Sequence, residues 1–232
     1  MTEPDQLIYG LFKFGRRMHL ESLRNEGLLY MRWLAEFAKL ESDSTRGDDF
    51  EGTTEIIQPR RIKKLAVDGG AAGIHALNPS SLKGPLRFAR GETGLCNVYC
   101  MFAATTLADG ESISRQNFQF GDSFVEVTEI DVFLDRAVDA ATRVGLGHFE
   151  SRLVEYFDPD EYSGEVGRFR KRSTFAYQSE FRIAVEPGTV APRLLSLGSL
   201  LDITSEVLPI SEVNEYLDLK VRAAEPVGAP SH

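Results

Sequence analysis

A chain of 232 residues with 42% hydrophobic and 10% aromatic content carries enough apolar material for a sizeable core, which excludes an intrinsically disordered protein. Its formal net charge of −9 disfavours a global attraction to nucleic acid or to an anionic membrane. No apolar run approaches the roughly 20 residues that span a bilayer, and the acidic start Met1–Gln6 lacks a secretory signal pattern, so the expected setting is intracellular and cytoplasmic.

In chain order, Leu7–Phe14 is short and rich in aromatics, which predicts a strand. A helix is expected over Met18–Glu26, with Leu20 and Leu23 on one face and Gly27 as its stop. Leu28–Met31 reads as a second strand, and Glu36–Leu40 as a helical turn. The polar, glycine-punctuated run Glu41–Gly52 reads as a loop. Strands are expected near Thr54–Gln58 and Arg61–Val67, broken by Pro59, with Asp68–Gly73 as a tight connection. Further strands are expected at Cys96–Phe102 and Asp122–Val127. Thr128 reads as an N-cap, with Asp131 three residues on, for a helix through about Arg143. Val132, Phe133, Ala137, Val138, Ala141 and Val144 are its expected apolar side, and Gly145 its end. Ser173–Val185 and Arg193–Leu197 read as strands, and a last helix is expected after Ser211. This mixed order favours α+β over a doubly wound sheet. The expected architecture is a single compact domain over residues 1–222, followed by a flexible tail from Ala223.

The cysteines are Cys96 and Cys100. Four residues along a strand span about 13 Å, well beyond disulfide reach, so both are expected as core residues of a reducing compartment.

Side chains alternate faces along a strand. Over Ser173–Val185 this puts Phe175, Tyr177, Phe181, Ile183 and Val185 on one face, and Gln178, Glu180 and Arg182 on the other. An amide, a carboxylate and a guanidinium then form one row, behind the basic and aromatic stretch Arg168–Thr174. The alternative is the solvated face of an antiparallel strand.

Gln178-Ser179-Glu180 on such a strand resembles the Q-x-E variant of the ADP-ribosyltransferase signature. An early aromatic strand, a short helix, Asp49-Phe50-Glu51-Gly52, a Cys-containing strand and a late Tyr-Gln-Ser-Glu-Phe-Arg segment extend a diffuse likeness over Leu7–Val185. The wider layout also resembles an uncharacterised group of bacterial proteins thought to share that fold. The resemblance implies a split, mostly antiparallel sheet that grips NAD⁺ in a cleft, and the role of a bacterial toxin or phage-defence effector, with an antitoxin as a further partner. It implies that Glu180 binds the ribose hydroxyl and stabilises an oxocarbenium-like centre, while Gln178 orients the nucleophile. It further implies an early Arg or His for NAD⁺, for which Arg16, Arg17 and His19 are candidates. A middle Ser-Thr-Ser or Tyr follows in the family; no Ser-Thr-Ser occurs here, and Tyr99 and Ser123 are the candidates.

Arg168, Arg170, Lys171 and Arg172, with Phe169, combine phosphate-pairing charge with a ring able to stack on a base. Arg60, Arg61, Lys63 and Lys64 are a second cluster. Together they point to a macromolecular acceptor such as RNA or DNA, against a salt-bridged rim; a protein acceptor stays open. Two alternatives use the same cleft: an NAD⁺ glycohydrolase, and a non-catalytic nucleotide- or protein-binding module. A metal-dependent nuclease would use Asp48, Asp49 and Glu51, against a solvated acidic loop. The run Gly69–Gly73 is neither a P-loop nor a Rossmann fingerprint, and the four histidines lack zinc spacing, so no metal is expected.

Overall fold

The computed structural model describes residues 7–39, 48–89, 96–105 and 112–224. Three helices lie among them: α1 (Arg17–Glu26), α2 (Ile130–Arg143) and α3 (Val213–Ala224). The strands begin with β1 (Gly10–Gly15), β2 (Leu28–Trp33), β3 (Thr53–Ile57), β4 (Leu65–Asp68) and β5 (Ile74–Leu77). Then come β6 (Leu86–Ala89), β7 (Asn97–Ala104), β8 (Ser123–Val127), β9 (His148–Leu153) and β10 (Glu155–Phe157). The last are β11 (Gly164–Glu165), β12 (Arg170–Arg172), β13 (Glu180–Glu186), β14 (Arg193–Ser196) and β15 (Leu208–Pro209). The fold is mixed, with few helices; apart from the parallel pair β10–β12, its strand pairs are antiparallel.

The described residues group into two compact units. The first holds those up to Trp33, those of 96–153 and those from Tyr177 on. Its sheet runs β14–β2–β7–β1–β8–β15, and β13 pairs both β7 and β9. One face packs Leu11, Met101, Val125 and Ile183 against Leu20 and Leu23 of α1 and Phe133 and Ala137 of α2. The other packs Phe12, Phe14 and Phe124 against Val213 and Leu217 of α3. Because helices cover both faces, β7 and β8 are buried at nearly every position and show no polar alternation.

Several expectations hold here. Gly27 ends α1 in the left-handed region, at φ 63°, and its N–H bonds back to the Leu23 carbonyl. Phe181, Ile183 and Val185 enter the core. The two cysteines are free.

Others are corrected. Ser173–Gln178 winds as a 3-10 helix, and the strand starts only at Glu180. No strand lies beside 173–178 among the described residues, so context overrides the β propensity of its Thr, Phe and Tyr. The expected strand over Arg61–Val67 is a proline-led 3-10 turn at Pro59–Arg61 and a strand that begins at Leu65. Helix α2 starts at Ile130, with Glu129 rather than Thr128 at its cap, and its buried stripe is Phe133, Ala137, Ala140 and Ala141. Val132, Val138 and Val144 are exposed instead. The turn expected at Glu36–Leu40 is a 3-10 helix over Leu34–Lys39, and Leu40 lies outside the described residues. Residues 41–47 of the expected loop and 225–232 of the expected tail also lie outside them, while Ala223 and Ala224 close α3.

The second unit holds the described residues of 34–95 and 154–176. Strands β11, β3 and β6 form one small sheet, β10 and β12 another, and β4 and β5 a two-stranded ribbon. Phe50, Ile56, Phe157 and Val166 form its core.

Candidate active site

Strand β7 organises the first unit. One edge carries β13 along its length, from Val185↔Asn97 to Glu180↔Phe102. The other edge is shared: β1 pairs with Phe102–Ala104, and β2 with Asn97 and Val98. Between them the sheet parts along Tyr99–Met101. Beyond Phe12, β1 follows β8 alone. Lys13 fills the parting: its ammonium donates to the Cys100 carbonyl and lies 4.3 Å from the Tyr99 ring centroid.

Across β7 from the parting stand the row residues of β13. Glu180 and Arg182 share a face, two residues apart, and Arg182 Nε donates to Glu180 Oε1 at 2.7 Å. The alternative of a solvated face is excluded, because Glu180 is 5% exposed and Arg182 1%. Arg182 has Cys100 of β7 as its cross-strand partner on one side and Arg152 of β9 on the other. The thiol of Cys100 is pushed up to about 12, first by desolvation and then by the Glu180 carboxylate, which accepts its hydrogen bond. Arg182 and Lys13 act in the opposite sense. Burial also raises the Tyr99 hydroxyl far above its ordinary value.

Gln178 is buried but belongs to the 3-10 helix, not to the strand. The chain turns between it and Glu180 at Ser179, a non-glycine residue at φ 37°. Two bonds to β7 hold that turn: Ala103 N–H donates to the Ser179 carbonyl at 2.7 Å, and Ser179 Oγ donates to the Ala103 carbonyl at 2.6 Å. Asn117 Nδ2 donates to the Tyr177 carbonyl at 2.8 Å. The Q-x-E triplet is therefore a helix end, a strained hinge and a strand start. Glu180 is fixed by backbone, by Arg182 and by Cys100 at once.

The other NAD⁺ candidates fall into two places. Tyr99 lies under Lys13 at the parting. Arg16 and His19 are exposed around the start of α1, and Ser123 is buried beside them, opposite Gly15 in the ladder. Ser123 Oγ donates to Asp122, whose carboxylate also accepts from Arg17 N and is held below the usual range by these bonds. That carboxylate occupies the start of α1, where an anion would otherwise be favoured. Lys13 and Cys100 were not singled out as site residues in the sequence; a lysine inside Leu-Phe-Lys-Phe is the signal that marks the first.

The basic stretch 168–172 lies in the second unit and is internally engaged. Phe169 is buried. Arg170 pairs with Glu155 at 2.7 Å and donates to the Glu165 carbonyl. Lys171 pairs with buried Glu51 at 3.6 Å. Arg172 holds Asp48 at 2.7 Å and Asp49 at 3.1 Å, and packs over the Phe50 and Phe175 rings. Arg168 is half-buried. Asp48 and Glu51 are thus buried counterions of β12, not a solvated loop, and no metal-like group of three or more His, Cys, Asp or Glu forms among the described residues. The same unit has an open cleft of about 480 Å³, where Arg61 and Arg170 face Glu155, Asp158 and Glu161. No helix among the described residues is long and apolar enough to cross a membrane.

No family model, no curated protein and no solved structure matches this chain.

Proposed function

We propose that the chain transfers ADP-ribose from NAD⁺ to an acceptor, with Glu180 as the residue that stabilises the reacting ribose. The observation that carries this reading is the buried Glu180 carboxylate, fixed by Arg182 at 2.7 Å and set at a strand start. A fixed anion away from water stabilises a developing cation more strongly than solvent does. The bond from ribose C1′ to the nicotinamide nitrogen breaks, and nicotinamide leaves with the electron pair. The acceptor's lone pair then bonds to C1′ and its proton is released. Glu180 offsets the charge at C1′ in between, and Gln178 orients the acceptor.

The finer fold assignment, an ADP-ribosyltransferase-like split sheet, is supported by the parting of β1 and β2 along β7. Lys13 supplies a cation at that parting for the NAD⁺ diphosphate; Tyr99 beside it is buried on the sheet face opposite to Glu180. Arg16, His19 and Ser123 are the candidates at the neighbouring end of β1.

The acceptor can also be water, which makes the enzyme an NAD⁺ glycohydrolase. The ion pairs of Arg170, Lys171 and Arg172 favour this second reading, since they spend on internal carboxylates the charge that a polyanion would need.

The test is incubation with adenine-labelled NAD⁺ and, separately, protein and nucleic-acid extracts, with Glu180→Gln as the comparison. Covalent label that the variant loses is expected, and it names the acceptor class. Free ADP-ribose alone selects the glycohydrolase. NAD⁺ left intact with every extract overturns both and leaves a binding module.

A further inference from the structure

In the second unit the chain leaves β3 and returns at β6, and between them it forms an arm. Two proline-led 3-10 turns, Pro59–Arg61 and Pro79–Ser81, mark its base. Strands β4 and β5 form its shaft, in the register Leu65↔Leu77 to Asp68↔Ile74. Gly69–Gly73 forms its tip, where Gly70 and Gly73 take the positive φ that the turn requires. The shaft is a sheet of two strands only, so the outer edge of β4 has no partner strand among the described residues. Val67, Ile74 and Leu77 are 48%, 77% and 44% exposed. An isolated two-stranded hairpin with apolar flanks is marginal in water and is a ready template for another strand.

Charge along the arm is polarised. Between residues 59 and 83 there are five cations, Arg60, Arg61, Lys63, Lys64 and Lys83, and one carboxylate, Asp68. All the cations flank the base; Asp68 stands at the tip end of β4, with one oxygen accepting from Gly70 N at 2.8 Å. A tip that leads with a carboxylate disfavours insertion into an anionic membrane or a nucleic-acid groove. It suits an antiparallel strand whose cationic end meets the tip.

The arm's own sequence is such a strand. Lys64-Leu65-Ala66-Val67-Asp68 is complementary to itself when reversed. Two copies of β4 placed antiparallel about Ala66 set Asp68 opposite Lys64, Val67 opposite Leu65 and Ala66 opposite Ala66. The backbone agrees with this register. Gly69 N donates to the Gly73 carbonyl, so by alternation Val67 and Leu65 bond inward to β5. Ala66 and Asp68 then direct their N–H and C=O groups outward, as the pairing needs.

We propose that this arm joins two copies of the chain through β4–β4 edge pairing, centred on Ala66 and locked at each end by Asp68 of one copy against Lys64 of the other. The result is a four-stranded sheet, β5–β4–β4–β5, across a two-fold axis. This inference is independent of the reaction proposed above.

Sedimentation velocity and native mass spectrometry of the full chain, from about 1 to 200 µM, test it. A reversible dimer is expected. Lys64→Asp, which leaves the Gly70 cap intact, opposes carboxylates at both ends and should weaken the dimer about tenfold or more. Asp68→Lys opposes ammonium groups and should do the same. An equimolar mixture of the two variants restores an attractive pair at each end, so a heterodimer of wild-type strength is expected. A monomer over the whole range, a dimer indifferent to Lys64→Asp, or a mixture that stays monomeric each overturns the proposal.

Discussion

At the scale of single residues, the Glu180–Arg182 pair ties chemistry to stability. Both groups are buried, and breaking a buried pair by removing one partner typically costs about 3–5 kcal/mol. Glu180→Gln should therefore lose NAD⁺ cleavage and also unfold at lower urea. Adding Arg182→Met should recover stability but not activity, and a double-mutant cycle in urea reads the coupling. Cys100 reports the same carboxylate independently. Its thiol, held up to about 12, should resist iodoacetamide at pH 8–9 in the folded protein. In Glu180→Gln the raising charge is gone while Arg182 and Lys13 remain, so the thiol falls and Cys100 should alkylate faster; peptide mass spectrometry separates it from Cys96. Because the folded thiol lies above its unfolded value, its contribution to stability is complete below about pH 9 and is lost as pH rises toward 12. The sequence made Gln178, Glu180 and Arg182 visible as a polar row. It could not show that the row breaks at Ser179, because a serine at positive φ is licensed by its bonds to Ala103, which is distant in sequence.

At the scale of elements, the end of α1 was legible, whereas the cap of α2 and the sheet partners were not. Gly27 is the clearest local signal, and its role is wider than a stop: a Cβ there would lie 2.0 Å from the Gly198 carbonyl oxygen. Gly27→Ala should thus cost about 3 kcal/mol, from left-handed strain plus the backbone shift, measurable as a lower urea midpoint at unchanged slope. The short strands β5, β6 and β9–β12 escaped notice because their stability comes from pairing, which local composition does not encode. On α2 the expected Phe133, Ala137 and Ala141 are buried, whereas Val132, Val138 and Val144 are exposed, because apolar character alone does not tell which side of a helix meets the sheet. Helix α2 is also tied to the turn at 199–202, where Arg136 donates to Asp202 and to the Ser199 carbonyl. Those bonds depress the Asp202 carboxyl, so their contribution is present above about pH 4 and lost as pH falls through the lowered value. Arg136→Ala should flatten that acid limb in pH-dependent unfolding.

At the scale of the whole molecule, the α+β character followed from mixed element order. The basic runs at 60–64 and 168–172 look alike as sequence, yet the structure separates them. Arg170, Lys171 and Arg172 neutralise carboxylates within their own unit, as Arg60 does with Glu161, while Lys63 and Lys64 flank an exposed arm. Charge patterning identifies cations; only the fold says which are already spent.

The arrangement of β7 also sets a clock on synthesis. Its neighbours come from opposite ends of the first unit, β1 and β2 before it and β13 about 80 residues after it. At roughly 5–20 residues per second, a ribosome leaves the apolar edge of Asn97–Phe102 without β13 for about 4–16 s. A nascent chain halted after Leu153 should accordingly show β7 amides that exchange with solvent, and should bind holding chaperones until the strand that begins with Glu180 emerges. The segment that carries the candidate catalytic carboxylate is thus also the one that completes the pairing of β7.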